Sequence, residues 1–314
     1  MSIKIKFIFF LLAGLSILAA PACKRKKKVP EKNADTFMAG QTDMLIDESC
    51  APIIEEELFV FTSSYTEAKP RLLYKTENEL LSLLLTDSIP YAIMTRDLTA
   101  DERRLMIQHT RPPDANRFAI DAVSLIVNQA SADTTITVSE VKAMLNGEFK
   151  SDRSVVFDNP NSSLVRYLKD LAGTKELKAK NVYALKNNKE VIRYVATHPN
   201  SIGITGFSWL NDPDKDYADD VKKVKIVGVK DNSRKDDIGF TKPSQESLAL
   251  KTYPFIRSLY IIDCTGRDGL GKGFASFVLS DRGQRIILKS GILPEVMPGR
   301  EINIVKEQNT ERVN

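Results

Sequence analysis

Histidine is almost missing from this chain, with two residues in 314, His109 and His198. One sits near the end of a helical pattern and the other directly precedes Pro199, so neither has the neighbours that metal ligation or general-base work requires. Cysteine is nearly as scarce, with three residues. No metal-ligand spacing and no Ser-His-Asp arrangement results, so no enzyme activity, no metal and no cofactor are expected. Three cysteines build no disulfide framework either; Cys50 and Cys264 are expected as one pair in an oxidising compartment or as two buried thiols. An excess of one charge is also lacking. The formal net charge is +4, but residues 1–28 hold seven basic and no acidic residues, which leaves residues 29–314 at −3. That balance gives no footprint for nucleic acid. Past residue 22 no apolar run approaches the roughly 20 residues of a spanning helix, and no internal repeat is visible. The glycine-rich stretch Gly266 to Gly273 lacks a following Lys-Ser/Thr pair, so it is no P-loop and reads as a loop before a helix.

What is present begins with Lys4 and Lys6, an uncharged apolar run from Phe7 to Ala22, and Ala20-Pro21-Ala22-Cys23. This resembles a bacterial lipoprotein signal peptide, with Ala20 in the place where Leu is usual. The resemblance implies cleavage before Cys23 and lipid on its sulfur. The alternatives are an ordinary cleaved signal and an uncleaved anchor. Lys24 to Lys28 is a basic run placed to lie on anionic lipid. Residues 29–40 are polar and aperiodic, which predicts a signal peptide at 1–22, a tether at 23–41 and a folded part from residue 42.

Apolar strands then alternate with amphipathic helices, the pattern of a parallel α/β sheet. Strands are expected at Asp43–Asp47, Pro70–Tyr74, Pro90–Met94, Ala119–Asn128, Val182–Leu185, Ser201–Gly206 and Val224–Val229. Helices are expected after Pro52, over Glu77–Leu85, after the capping boxes Thr99/Glu102 and Thr137/Glu140, after Asn187, and as a pair broken near Ser280. In such sheets ligands sit beyond the carboxyl ends of strands. Ser49 follows the first strand, beside the acids Asp47 and Glu48. Thr95, Arg96 and Asp97 follow the third, and a guanidinium fork matches an oxoanion at two points. The most informative turn lies between Val155-Val156-Phe157 and the helical run Leu164, Tyr167, Leu168, Leu171. It places Asn161, Ser162 and Ser163 at a helix start, whose free N–H groups cradle an anion. The plainer alternatives are that Asn161 or Ser162 only caps the helix and that Arg96 only pairs with Asp97 or Asp101.

Several of these stretches, in order, resemble the phosphate-binding proteins of ABC transporters. Thr95-Arg96-Asp97-Leu98-Thr99 is similar to their Ser-Arg-x-Leu-Thr segment, and Thr137 to Gly147 to their Leu-Thr-x-x-Gln-Leu-x-x-Ile-x-x-Gly helix. Asn161-Ser162-Ser163 stands where they carry a Ser-Gly-Thr anion loop; Ser201-Ile202-Gly203-Ile204 and Phe274 to Pro294 extend the match. The resemblance covers residues 42–295. It implies an α/β, two-lobed type II periplasmic-binding-protein fold, each lobe a central sheet flanked by helices. The crossing hinge strands are expected at Ala119–Asn128 and Thr252–Ile262, with lobe 1 at 42–120 plus 247–314 and lobe 2 at 121–246. It further implies phosphate bound by Ser49, Thr95, Arg96, Asp97, Asn161, Ser162 and Ser163, an ABC permease and ATPase as partners, a monomer, no nucleic acid, and lipid anchoring outside a bacterial membrane. Asp97, with Asp158 as second choice, is expected to accept the O–H that phosphate keeps and sulfate lacks. The family's arginine before the anion loop is replaced by Phe157 and Asp158, leaving Arg166 as the nearest cation. The first loop has Cys50 and no glycine. A tethered sensor or structural lipoprotein that keeps the fold without transport is the rival reading.

Overall fold

Strand and helix alternate along much of the described chain. The computed structural model describes residues 35–86, 88–148, 153–177, 180–236 and 238–299. The signal peptide, Cys23 and the basic run to Lys28 lie outside the described residues. The elements are β1 (Gly40–Asp47), a 3-10 turn (Glu48–Cys50), α1 (Ala51–Ser64), β2 (Ala68–Lys75), α2 (Glu77–Leu85), β3 (Tyr91–Met94), α3 (Ala100–Gln108) and β4 (Asp114–Asn128). Then come β5 (Thr135–Thr137), α4 (Val138–Leu145), β6 (Ser154–Phe157), α5 (Ser163–Ala172), β7 (Val182–Ala184), α6 (Asn188–Thr197), β8 (Ser201–Gly206), α7 (Ser208–Asn211) and α8 (Ala218–Val221). The chain ends with β9 (Val224–Ile226), β10 (Gly228–Lys230), α9 (Gln245–Ala249), β11 (Ile256–Asp263), α10 (Leu270–Leu279), α11 (Asp281–Lys289) and β12 (Leu293–Pro294).

The main sheet has the order β2-β1-β3-β11-β4-β8-β6-β7, with β9 and β12 also paired to β4. β1, β2 and β3 are parallel, as are β6, β7 and β8. β11 and β4 run antiparallel between those two sets. β4 serves both: its first part pairs with β11 from Asp114 to Ala122, and its second with β8 and β9 from Val123 to Asn128. Strands buried on both faces need near-continuous apolar runs. Tyr91-Ala92-Ile93-Met94 and Met44-Leu45-Ile46 supply them, every one of these residues being buried.

Capping chemistry sets the helix boundaries where the sequence indicates. Thr99/Glu102 and Thr137/Glu140 both form capping boxes, and Asn187 caps α6. Ser280 ends α10 and its hydroxyl accepts from Gly283 N to start α11. Three expectations differ. Val224–Val229 is two strands, because Val227 N bonds Leu125 O on β4 while Gly228 N bonds Thr134 O beside β5. The glycine-rich stretch is loop only in its first half and helix from Leu270: a Cβ at Gly273 would stand 2.0 Å from Phe37 O, so glycine there admits the chain's early segment. That segment, placed in the tether by sequence, packs from Asp35, whose carboxylate accepts from Leu270 N at 2.8 Å. Phe61 on α1 meets Phe274 and Phe277 on α10 edge-on at 5.3 Å, fixing these helices to each other. Cys50 and Cys264 remain buried thiols in separate core clusters.

Candidate functional site

Parallel register brings three strand ends to one level. Asp47 is opposite Lys75, and Ile46 opposite Ile93, so the residues that leave β1, β2 and β3 emerge together. Ser49, Thr76 and Thr95 are among them, and all three are buried. On the other side Val156 is opposite Gly203, so Asp158 leaves β6 level with Thr205. The two sets meet where Ser49 Oγ lies 3.1 Å from Ser163 Oγ, across 114 residues of sequence. Trp209 Nε1 adds a bond to Ser49 O at 3.1 Å.

Asp47 fixes Ser49 by accepting from its N–H at 2.9 Å and its hydroxyl at 2.7 Å, both on Oδ1. Its Oδ2 is buried with no partner. Burial pushes the carboxyl's pKa up, against the bonds from Ser49. Ser162 is the N-cap of α5, its oxygen accepting from Val165 N at 3.2 Å. The same hydroxyl donates to Asp158 Oδ1 at 2.5 Å, and Asn188 Nδ2 donates to Oδ2 at 3.2 Å. Burial nonetheless pushes Asp158 up to about 7. Asn188 is itself held by Thr205 Oγ1 and Gly206 N. The turn is therefore a helix cap whose hydroxyl also steadies a buried carboxyl.

The cation sits on β11. Arg257 faces Asp121 of β4 in register and donates to its Oδ2 from Nε at 3.1 Å and Nη2 at 2.7 Å. Asp121 also accepts from Ser208 N and Oγ. Arg257 Nη1 is buried and has no partner, as are the hydroxyls of Thr76 and Thr95. Asp47 and Asp121 both act on Arg257, and Arg257 acts on Asp158, which places all four charges in one neighbourhood. Gly206 makes this possible, since a Cβ there would stand 2.3 Å from Arg257 Nη2. Buried polar atoms are normally paired. A guanidinium edge, two hydroxyls and a carboxylate oxygen left unpaired together offer donors for an oxoanion and one acceptor for a proton it keeps.

The sequence-derived residues divide. Ser49, Ser162 and Ser163 come together, and Thr95 stands at the same level. Asn161 turns outward and accepts from Asn78 Nδ2 at 3.4 Å. Arg96 is engaged on every side: Nε donates to Glu77, Nη1 to Asp97 O and Glu102, Nη2 to Glu102. Asp97 accepts from Arg103 and Leu98 N, with 42% of its side chain exposed. Both bonds fall on Oδ1 of a half-exposed carboxylate, so this geometry lends the expected selectivity role of Asp97 no support. Arg166 likewise binds Glu77 and Asp170. His198 is exposed and stacks on Tyr194 at 3.8 Å. A cavity of about 410 Å³ between α1 and residues 212–217 is lined by Glu55, Glu56, Asp212 and Asp214 against the single cation Lys289, an acidic excess that disfavours anions. Sequence reasoning missed Arg257, Thr76 and Asp121. The signal available was two opposite charges inside long apolar strands, Asp121 among Ala119–Asn128 and Arg257 among Phe255–Ile262; burial requires such a pair.

The chain is 26% identical over 262 residues to the phosphate-binding protein PstS of Borreliella burgdorferi, covering 77% of this chain and 86% of that one. A phosphate ABC transporter substrate-binding type of structure from Clostridium perfringens, with phosphate bound, superposes with a TM-score of 0.68 at 19% identity, over 81% of this chain and 99% of that one. An ABC-type phosphate transport receptor from Vibrio cholerae gives 0.62 at 18% identity, over 81% and 100%. These two establish the shared fold, a curled central sheet with flanking helices, of type II periplasmic binding proteins. Residues 35–282 match the PBP superfamily domain, and the chain belongs to that family.

Proposed function

We propose that this chain is an extracytoplasmic solute-binding protein. It captures inorganic phosphate, or a related oxoanion, in a cleft between residues 42–120 plus 247–314 and residues 121–246, and presents it to an ABC-type permease and ATPase. It works as a monomer held to the membrane by lipid on Cys23. The names of its relatives support the ligand, and the observation that carries the reading is Arg257: a buried guanidinium whose free edge meets no protein acceptor. The unpartnered hydroxyls of Thr76 and Thr95 and the helix starts at Glu77 and Ser163 supply the remaining donors, with the bonded Ser49 and Ser163 hydroxyls beside them.

Selectivity falls to Asp47, whose unpartnered Oδ2 accepts the phosphate O–H, with Asp158 behind it. An ionised carboxylate there repels sulfate, which has no proton to share. A buried group left unpaired costs on the order of 1–3 kcal/mol, and 1.4 kcal/mol is about tenfold. Calorimetry at pH 8 should show phosphate ahead of sulfate by at least about tenfold. The lead should narrow near pH 6, because Asp158 takes up a proton as the pH falls through about 7. Asp47→Asn should shrink the lead at pH 8. Arg257→Lys, which keeps a charge against Asp121 but loses the fork, should weaken both anions. An unchanged phosphate-to-sulfate ratio in Asp47→Asn would place selectivity elsewhere.

A further inference from the structure

A ladder of alternating charges runs beside the site. Glu102 on α3 accepts from Arg96 at 2.8 and 2.9 Å, and Arg96 Nε donates to Glu77 Oε1 at 2.8 Å. Arg166 Nε on α5 donates to both Glu77 oxygens, at 2.8 and 2.9 Å, and its Nη1 reaches Asp170 at 3.0 Å. Glu77 opens α2, next to the β1–β3 strand ends, whereas Arg166 belongs to α5, which follows β6. The middle rung therefore joins the two sides of the sheet. Glu77 is 2% exposed, so its pairing is poorly screened. Beside it Asn78 N and Nδ2 approach Asn161 O and Oδ1 at 3.5 and 3.4 Å, long contacts between neutral groups. Charge-assisted bonds are about twice as strong as neutral ones, so the Glu77–Arg166 rung dominates this seam.

We propose that Glu77 and Arg166 form a clasp whose opening sets how fast a bound anion leaves. The proposal rests on the cleft reading above. An anion held at Ser49 and Ser163 leaves when their two sides part, and parting them pulls Arg166 from Glu77. Glu77 then keeps Arg96 alone, and Arg166 keeps the exposed Asp170. Arg96, saturated by Glu102, is the positioning residue: it holds the Glu77 carboxylate in place for Arg166. The chain's single tryptophan provides the readout, because Trp209 Nε1 bonds Ser49 O at the same seam.

The test is stopped-flow Trp209 fluorescence on the phosphate-loaded chain mixed with an enzymatic phosphate scavenger. Glu77→Gln and Arg166→Gln should each release phosphate at least about tenfold faster, and the double variant no faster than the quicker single one. Asp170→Asn removes a rung within one helix and should stay within about twofold of the parent chain. Arg166 is one-third exposed, so its variant is expected to fold. Release from Arg166→Gln within about twofold of the parent overturns the clasp. If the parent chain gives no phosphate signal, the phosphate reading has failed and the clasp is judged without ligand, by amide exchange at residues 76–78 and 161–163. Exchange about tenfold faster in Arg166→Gln sustains it, and equal exchange overturns it.

Discussion

Within α1, Glu57 has both carboxylate oxygens buried without a partner, and burial pushes its pKa up to about 9 from 4.5. The folded chain thus binds a proton there that the unfolded chain gives up at lower pH. The stability linked to this group is fully present below about pH 4.5 and is lost as the pH rises towards 9. Glu57→Gln should flatten that loss, and Glu57→Met should raise the unfolding midpoint at pH 9, by about 1–3 kcal/mol if an orphaned acceptor is removed. Thermal unfolding from pH 5 to 9 checks it; parallel curves for parent and Glu57→Gln would contradict the assignment. Single residues were also the scale least legible in the sequence. Arg96 and Asp97 follow a strand end, as anion ligands do, but a strand end says nothing of whether a guanidinium is already occupied. Glu77, Glu102 and Arg103 lie 6 to 19 positions away and claim both side chains. Ser163 was legible because it starts a helix after a buried strand, and Ser49 because it lies in the turn that leaves one, both local patterns.

Helices and strands were the most readable scale. Caps are local chemistry, so Thr99, Thr137, Asn187 and Ser280 mark true boundaries. Where an element changes partner, local pattern fails: the apolar run through Val227 reads as one strand, yet its backbone passes from β4 to β5. The end of β8 carries a test. Gly206 lets Arg257 lie flat against the backbone, and Gly206→Ala would drive a methyl to 2.3 Å from Nη2. Arg257 must then shift from Asp121, leaving a buried pair imperfect, a change that costs several kcal/mol when one partner is lost outright. Gly206→Ala should weaken phosphate at least about tenfold while β8 still pairs with β4. Unchanged affinity by calorimetry would show that Arg257 has room to spare.

For the whole molecule, the order of weak motifs over residues 42–295 carried the fold although no single motif would. The alternation of strand and helix points to an α/β sheet, and the central antiparallel pair β4 and β11 is visible as two long apolar stretches. The charged partners within that pair, Asp121 and Arg257, were not, because they are 136 residues apart and only register joins them. A chain whose two sides close on an anion should contract. Small-angle scattering should give a smaller radius of gyration with saturating phosphate, and an equal radius would argue against a site between the sides.

The placement of β11 bears on how the chain matures. It stands between β3 and β4, so both of those strands keep an open edge until residues 256–263 have been made. An unpaired edge is a template for wrong pairing. Most of the polypeptide must leave the ribosome before its sheet has a middle, and a nascent chain halted near residue 250 is two half-sheets with sticky margins. Late insertion of the central strand holds back native structure until nearly all of the chain has been made.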